Sequence, residues 1–83
     1  YEVTIYKLGT ALYEDGKIKD SIAVFQEGTS LAPQNASMRY GLALAFLKNG
    51  NKKSAMGEFK KAAELAPKSD IALKANDYIK TLR

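Results

Sequence analysis

The side chains that usually carry proton transfer and metal binding are missing from this chain. It has no His and no Cys among its 83 residues, so imidazole bases, thiolate nucleophiles, disulfides and Cys/His metal sites are excluded. Nine carboxylates and thirteen Lys/Arg remain, with no Ser–His or paired-acid arrangement to organise them. The residues whose type and spacing suggest a task are aromatic. Tyr6, Thr10 and Tyr13 fall at i, i+4 and i+7, on one face of a helix. Tyr40, Leu44 and Leu47 repeat that spacing one unit later. Tyrosine offers a large contact area with few rotatable bonds and a hydroxyl for polar groups of a partner. The chemistry suggested is recognition, and no catalysis is expected.

These stripes need helices to carry them. A shift of 34 residues aligns Tyr6 with Tyr40, Leu8 with Leu42, Ala11 with Ala45, Gly16 with Gly50 and Phe25 with Phe59. The same shift aligns Lys19 with Lys53 and Leu31-Ala32-Pro33 with Leu65-Ala66-Pro67. Nine identities in 34 positions far exceed the about two expected by chance, so the chain contains an internal repeat. Each unit reads as two helices. Ile5, Leu8, Ala11 and Leu12 form the apolar stripe of the first, which ends at Glu14-Asp15-Gly16. Ile18, Ile22, Phe25 and Leu31 mark the second, which Pro33 ends. In the second unit Leu42, Ala45 and Phe46 precede Lys48-Asn49-Gly50, and Ala55, Met56, Phe59, Ala62 and Leu65 precede Pro67. Asn35 and Asn51 are the expected caps of the third and fourth helices. Ile71, Ala75, Tyr78, Ile79 and Leu82 define a fifth helix with a polar opposite face, suited to closing a stack.

A 34-residue two-helix unit with these residues resembles the tetratricopeptide repeat. The first unit supplies Ile5, Leu8, Gly9, Leu12, Ser21, Phe25, Gly28 and Pro33 at the family's positions. The second supplies Arg39, Leu42, Ala43, Phe46, Ala55, Phe59, Ala62 and Pro67. Arg39 stands where the family has a bulky apolar residue, and Leu12 where it has an aromatic. The resemblance implies an all-α, right-handed superhelical stack of antiparallel helix pairs with five helices. It divides the chain into units at residues 2–35 and 36–69 and a capping helix at 70–83. Gly9 opposite Ser21, Ala43 opposite Ala55, and Gly28 and Ala62 between units let helices approach closely. Phe25, Phe59, Leu31 and Leu65 are expected to fill the core, while Gly41 opens space for a ligand and Gly57 has no evident purpose.

The resemblance also implies a concave groove lined by first helices, which receives a protein or peptide segment. Its positions carry over to Val3, Tyr6, Thr10, Tyr13 and Glu14, then Ser37, Tyr40, Leu44, Leu47 and Lys48, then Ile71, Lys74 and Tyr78. Chaperone-binding relatives hold a partner's carboxylates with Lys and Asn there; this chain has Tyr6, Thr10, Gly41, Ile71 and Ala75 instead. The expected partner is therefore apolar or aromatic-bearing, with no cofactor and no metal.

Charge supplies the alternatives. The net +4 divides into −2 over residues 1–35 and +6 over 36–83, which reads first as a solvated basic surface and second as attraction to an acidic partner. Lys52-Lys53 and Lys60-Lys61 are not interleaved with aromatics, so RNA binding ranks behind protein binding. Self-association through an uncovered face of the first unit, around Tyr1 and Val3, is the other alternative. No apolar run approaches the roughly 18 residues of a membrane span. The chain opens on Tyr1 within apparently structured sequence, as expected of a piece of a longer protein, and the cytoplasm is the default compartment.

Overall fold

A computed structural model describes residues 1–83 as five helices and no strands. They are α1 (Glu2–Glu14), α2 (Ile18–Leu31), α3 (Ala36–Lys48), α4 (Lys52–Leu65) and α5 (Asp70–Leu82). The same turn chemistry closes α1 and α3. Gly16 and Gly50 hold φ of 82° and 87°, the left-handed conformation that a side chain disfavours. After α1, the Gly16 N–H donates to Tyr13 O and the Lys17 N–H to Leu12 O. After α3, the Gly50 N–H donates to Leu47 O and the Asn51 N–H to Phe46 O. This paired bonding satisfies carbonyls that a helix end leaves open, and it reverses the chain identically in both places. Ahead of Pro33 and Pro67, Ala32 and Ala66 take extended φ of −136° and −140°, as the proline rings require.

Caps fix where the next helices begin. The Asn35 side chain accepts from the Met38 N–H at 3.0 Å and starts α3. Ser69 accepts from the Ala72 N–H and donates its hydroxyl to Ala66 O at 2.7 Å, tying the start of α5 to the end of α4. Asn51 does not cap α4, contrary to the sequence expectation. Its carbonyl oxygen accepts from the Asn49 amide at 2.7 Å instead.

Small residues set the helix spacings. The Ser21 hydroxyl donates to Gly9 O at 2.8 Å within the α1–α2 contact, and both residues are buried. A methyl group built on Gly9 would meet the Phe25 ring at 2.7 Å, and one on Gly28 would meet Met38 Sδ at 2.5 Å. Ala43, Ala55, Phe59, Ala75 and Ile79 form one core cluster; Phe25, Met38, Leu42 and Ala45 form the other. α5 covers the second helix pair as its apolar stripe predicts, and Ala72 adds to that contact. No helix is long and apolar enough to cross a membrane.

Three expected core residues lie elsewhere. Leu8 is 51% exposed, Ala11 is exposed, and Leu31 is 53% exposed. Their counterparts behave differently: Leu42 and Ala45 are buried, and Leu65 is half-buried. α2 covers the face of α3 that carries Leu42 and Ala45, and no helix lies on the corresponding face of α1. Arg39, in the position of a bulky apolar side chain, is held by an ion pair. Its guanidinium donates to Glu58 Oε1 at 3.0 Å across the α3–α4 contact, with both side chains largely buried.

Candidate functional site

α1 touches α3, and α3 touches α5, so the first helices lie in a row. Their core stripes turn toward α2 and α4, which leaves the tyrosine stripes at the surface of the row. Tyr6 meets the Phe25 ring edge-on, with centroids 5.9 Å apart and planes at 61°. Tyr40 meets Phe59 in the same way, at 5.8 Å and 61°. Tyr78 lies flat on Phe59 and tilts against Tyr40 with centroids 6.4 Å apart. Tyr6 and Tyr40 thus meet a core phenylalanine edge to face, and Tyr78 meets one face to face. Tyr6, Tyr13, Tyr40 and Tyr78 are all half-buried.

The Tyr40 phenol is pushed above its ordinary value, chiefly by burial, with Tyr78, Tyr6 and Tyr13 opposing a further negative charge. The Tyr40 hydroxyl therefore stays protonated further into alkaline solution, able to donate and accept hydrogen bonds.

A pocket of about 200 Å³ opens between α1 and α3. Tyr6, Thr10, Tyr13 and Glu14 line it from α1, Gly41 and Leu44 from α3, and Phe25 of α2 forms its floor. Sequence reasoning placed Phe25 only in the core and missed this second role. A buried aromatic at helical spacing carries no mark of which edge stays open. Gly41 was expected to make room for a ligand, but its missing side chain admits Phe25, whose ring would lie 2.6 Å from an added methyl group. The ring passes between Gly9 and Gly41 and reaches the pocket from behind.

Of the expected groove residues, the pocket brings together Tyr6, Thr10, Tyr13, Glu14 and Leu44. Tyr40 and Tyr78 continue the aromatic surface toward α5, and Leu47 is half-buried against the Phe59 core cluster. Lys48 and Lys74 are exposed, outside the pocket, and in no ion pair. Val3 and Ser37 line a wider depression of about 510 Å³ with Tyr1, Glu2, Tyr6 and Asn35. There the Asn35 amide donates to Glu2 Oε1 at 2.8 Å, joining the start of α3 to that of α1. No three His, Cys, Asp or Glu side chains gather as a metal site. The lining supplies apolar surface, hydroxyls and one carboxylate.

No curated protein matches the chain. Among solved structures, it is similar to the second TPR of Spaghetti (RPAP3) bound to the HSP90 peptide SRMEEVD, with a TM-score of 0.81. Identity there is 20%, and the match covers 98% of this chain and 79% of that one, so the likeness is one of fold. The tetratricopeptide repeat model matches residues 6–70. With that match over most of its length, the chain belongs to the tetratricopeptide repeat family.

Proposed function

We propose that this chain is a non-catalytic protein-interaction module that receives a peptide or partner segment on the row formed by α1, α3 and α5. The observation that carries this reading is the half-buried tyrosine surface beside an open pocket floored by Phe25. A folded core needs neither the hydroxyls nor the accessible ring faces, whereas a partner surface uses both. Tyr6, Thr10, Tyr13, Tyr40 and Leu44 are the proposed central contacts, with Leu47, Lys48, Lys74 and Tyr78 at the margin. The division into units at 2–35 and 36–69 with a cap at 70–83 belongs to the same proposal.

The partner differs from that of the similar solved structure. The peptide in that structure carries two Glu and a final Asp. Here Tyr6, Thr10, Gly41, Ile71 and Ala75 occupy the positions at which chaperone-binding relatives place Lys and Asn. A partner that presents apolar or aromatic side chains along the row as a whole fits these residues better. Panning a random-peptide phage library on the folded chain tests the reading. Selected peptides should lose about 1–2 kcal/mol of binding on Tyr13→Ala or Leu44→Ala, as anchor contacts do. Peptides that bind these variants as well as the native chain would overturn it.

A second reading has its own observation. Tyr1, Val3, Leu8 and Leu31 are 87%, 65%, 51% and 53% exposed, on the first helix pair. An apolar face of this kind suits self-association through a second copy. Light scattering over a concentration series separates the readings, because a groove binder alone stays monomeric while a self-associating chain gains mass.

A further inference from the structure

We propose that the pocket between α1 and α3 selects an arginine side chain of the partner, with its stem against Tyr6, Tyr13 and Leu44 and its guanidinium at Glu14. This rests on the reading of the row as a partner-binding surface and names the side chain that its pocket takes.

Size comes first. At about 200 Å³ the pocket lies below the range of small-molecule sites, roughly 300–1,000 Å³, and admits one side chain of a larger partner. Chemistry narrows the choice. The Phe25 floor and the Leu44 wall favour an aliphatic stem, and the Tyr6 and Tyr13 rings offer faces on which a planar cation can stack. The polar lining is rich in acceptors. Thr10 and the two tyrosines can each accept at oxygen, and Glu14 can only accept. No Lys or Arg lines the pocket, and Glu14 makes no ion pair. An acidic side chain would therefore face an uncompensated carboxylate, and a neutral apolar one would leave it unused. Guanidinium can bond a carboxylate with two parallel N–H groups while stacking on an aromatic ring, which an ammonium does less well.

The surrounding charge points the same way. Residues 1–35, which include α1 and α2, carry net −2, whereas the remainder carries +6. A cation approaching the row is drawn to the α1 side. Lys48 occupies on α3 the position that Glu14 occupies on α1, 34 residues earlier. The sign of charge thus reverses from one helix end to the next, so a basic residue is accepted at α1 and repelled beyond it.

The probes are N-acetyl-arginine amide and the neutral N-acetyl-norleucine amide, titrated into the ¹⁵N-labelled chain and followed by amide chemical shifts. The arginine probe should move the amides of Thr10, Tyr13, Gly41 and Leu44, and it should bind about fivefold more tightly than norleucine, as one partly exposed charge contact gives. Glu14→Gln, at an exposed residue, should bring the two probes within about twofold while leaving the melting temperature unchanged. Lys48→Ala should strengthen the arginine probe. Norleucine binding as tightly as arginine at the same amides would overturn the arginine assignment and leave the pocket itself standing. A preference that persists in Glu14→Gln would overturn it also. If neither probe moves these amides, the partner-binding reading of the row fails with it.

Discussion

The Tyr78 ring lies flat on Phe59, with centroids 4.7 Å apart and planes only 6° from parallel. It joins α5 to the fully buried phenylalanine of the cluster that also holds Ala43, Ala55, Ala75 and Ile79. Removing α5 by truncation after Pro67 would strip Tyr78, Ala75 and Ile79 from that cluster together. The expected product has no cooperative thermal transition and exposes apolar surface. Tyr78→Ala in the intact chain is expected to cost about 2 kcal/mol from lost area and ring stacking. A truncated chain that melts cooperatively at the native temperature would show that α5 is not a cap.

Phe25 and Tyr6 touch, yet their truncations should differ. Phe25→Ala empties a buried site shared by α1, α2 and α3 and is expected to cost about 3–5 kcal/mol in urea unfolding. Tyr6→Ala removes a half-buried ring whose outer edge faces solvent, at about 1–2 kcal/mol. Equal losses would place Tyr6 in the core.

Two glycines within helices give opposite expectations. Nothing lies within 4 Å of a methyl group placed on Gly57, so Gly57→Ala should stabilise by about 0.5–1 kcal/mol through backbone entropy. At Gly41 the same methyl meets the Phe25 ring at 2.6 Å, and that ring is already held against Gly9 on its other side. Gly41→Ala should therefore destabilise by about 2 kcal/mol despite the better helix propensity. Thermal unfolding of the two variants side by side checks both signs.

Alkaline solution should unfold the protein partly through Tyr40. Its proton is held more tightly in the folded chain than in the unfolded one, because burial and the neighbouring tyrosines oppose the phenolate. The associated stability is fully present below the ordinary tyrosine value near pH 10 and falls as pH rises through the higher folded value. Tyr40→Phe should flatten this decline above about pH 10. An identical alkaline profile in the variant would count against the assignment.

Much of the fold was legible in the sequence because its punctuation is local. Gly16, Gly50, Pro33 and Pro67 act on their own backbone, and the Asn35 cap reaches only three residues ahead. What was misread depends on neighbours. Helical spacing shows that Leu8 and Ala11 share an apolar face, but not whether any helix covers it. Asn51 has the right type for a cap, yet its carbonyl was already engaged by Asn49. Arg39 stood out as a charge in an apolar position, while Glu58, nineteen residues on, supplies its partner. The candidate site was legible as a stripe through Tyr6, Thr10 and Tyr13, since those positions need only helical geometry. Its depth was not, because the floor comes from α2 through the gap that two glycines leave.

That floor ties occupancy to folding. Phe25 is at once the base of the pocket and the side chain that fixes α1 against α2 and α3, so a ligand seated there presses on the joint of three helices. By mass-action linkage, an occupant present at a hundred times its dissociation constant would raise stability by roughly 2.7 kcal/mol. Amides throughout the first helix pair, including those far from the ligand, would then exchange with solvent more slowly. Changes of specificity are correspondingly confined to the walls, at Thr10 and Glu14, where a side chain can be exchanged without disturbing the joint.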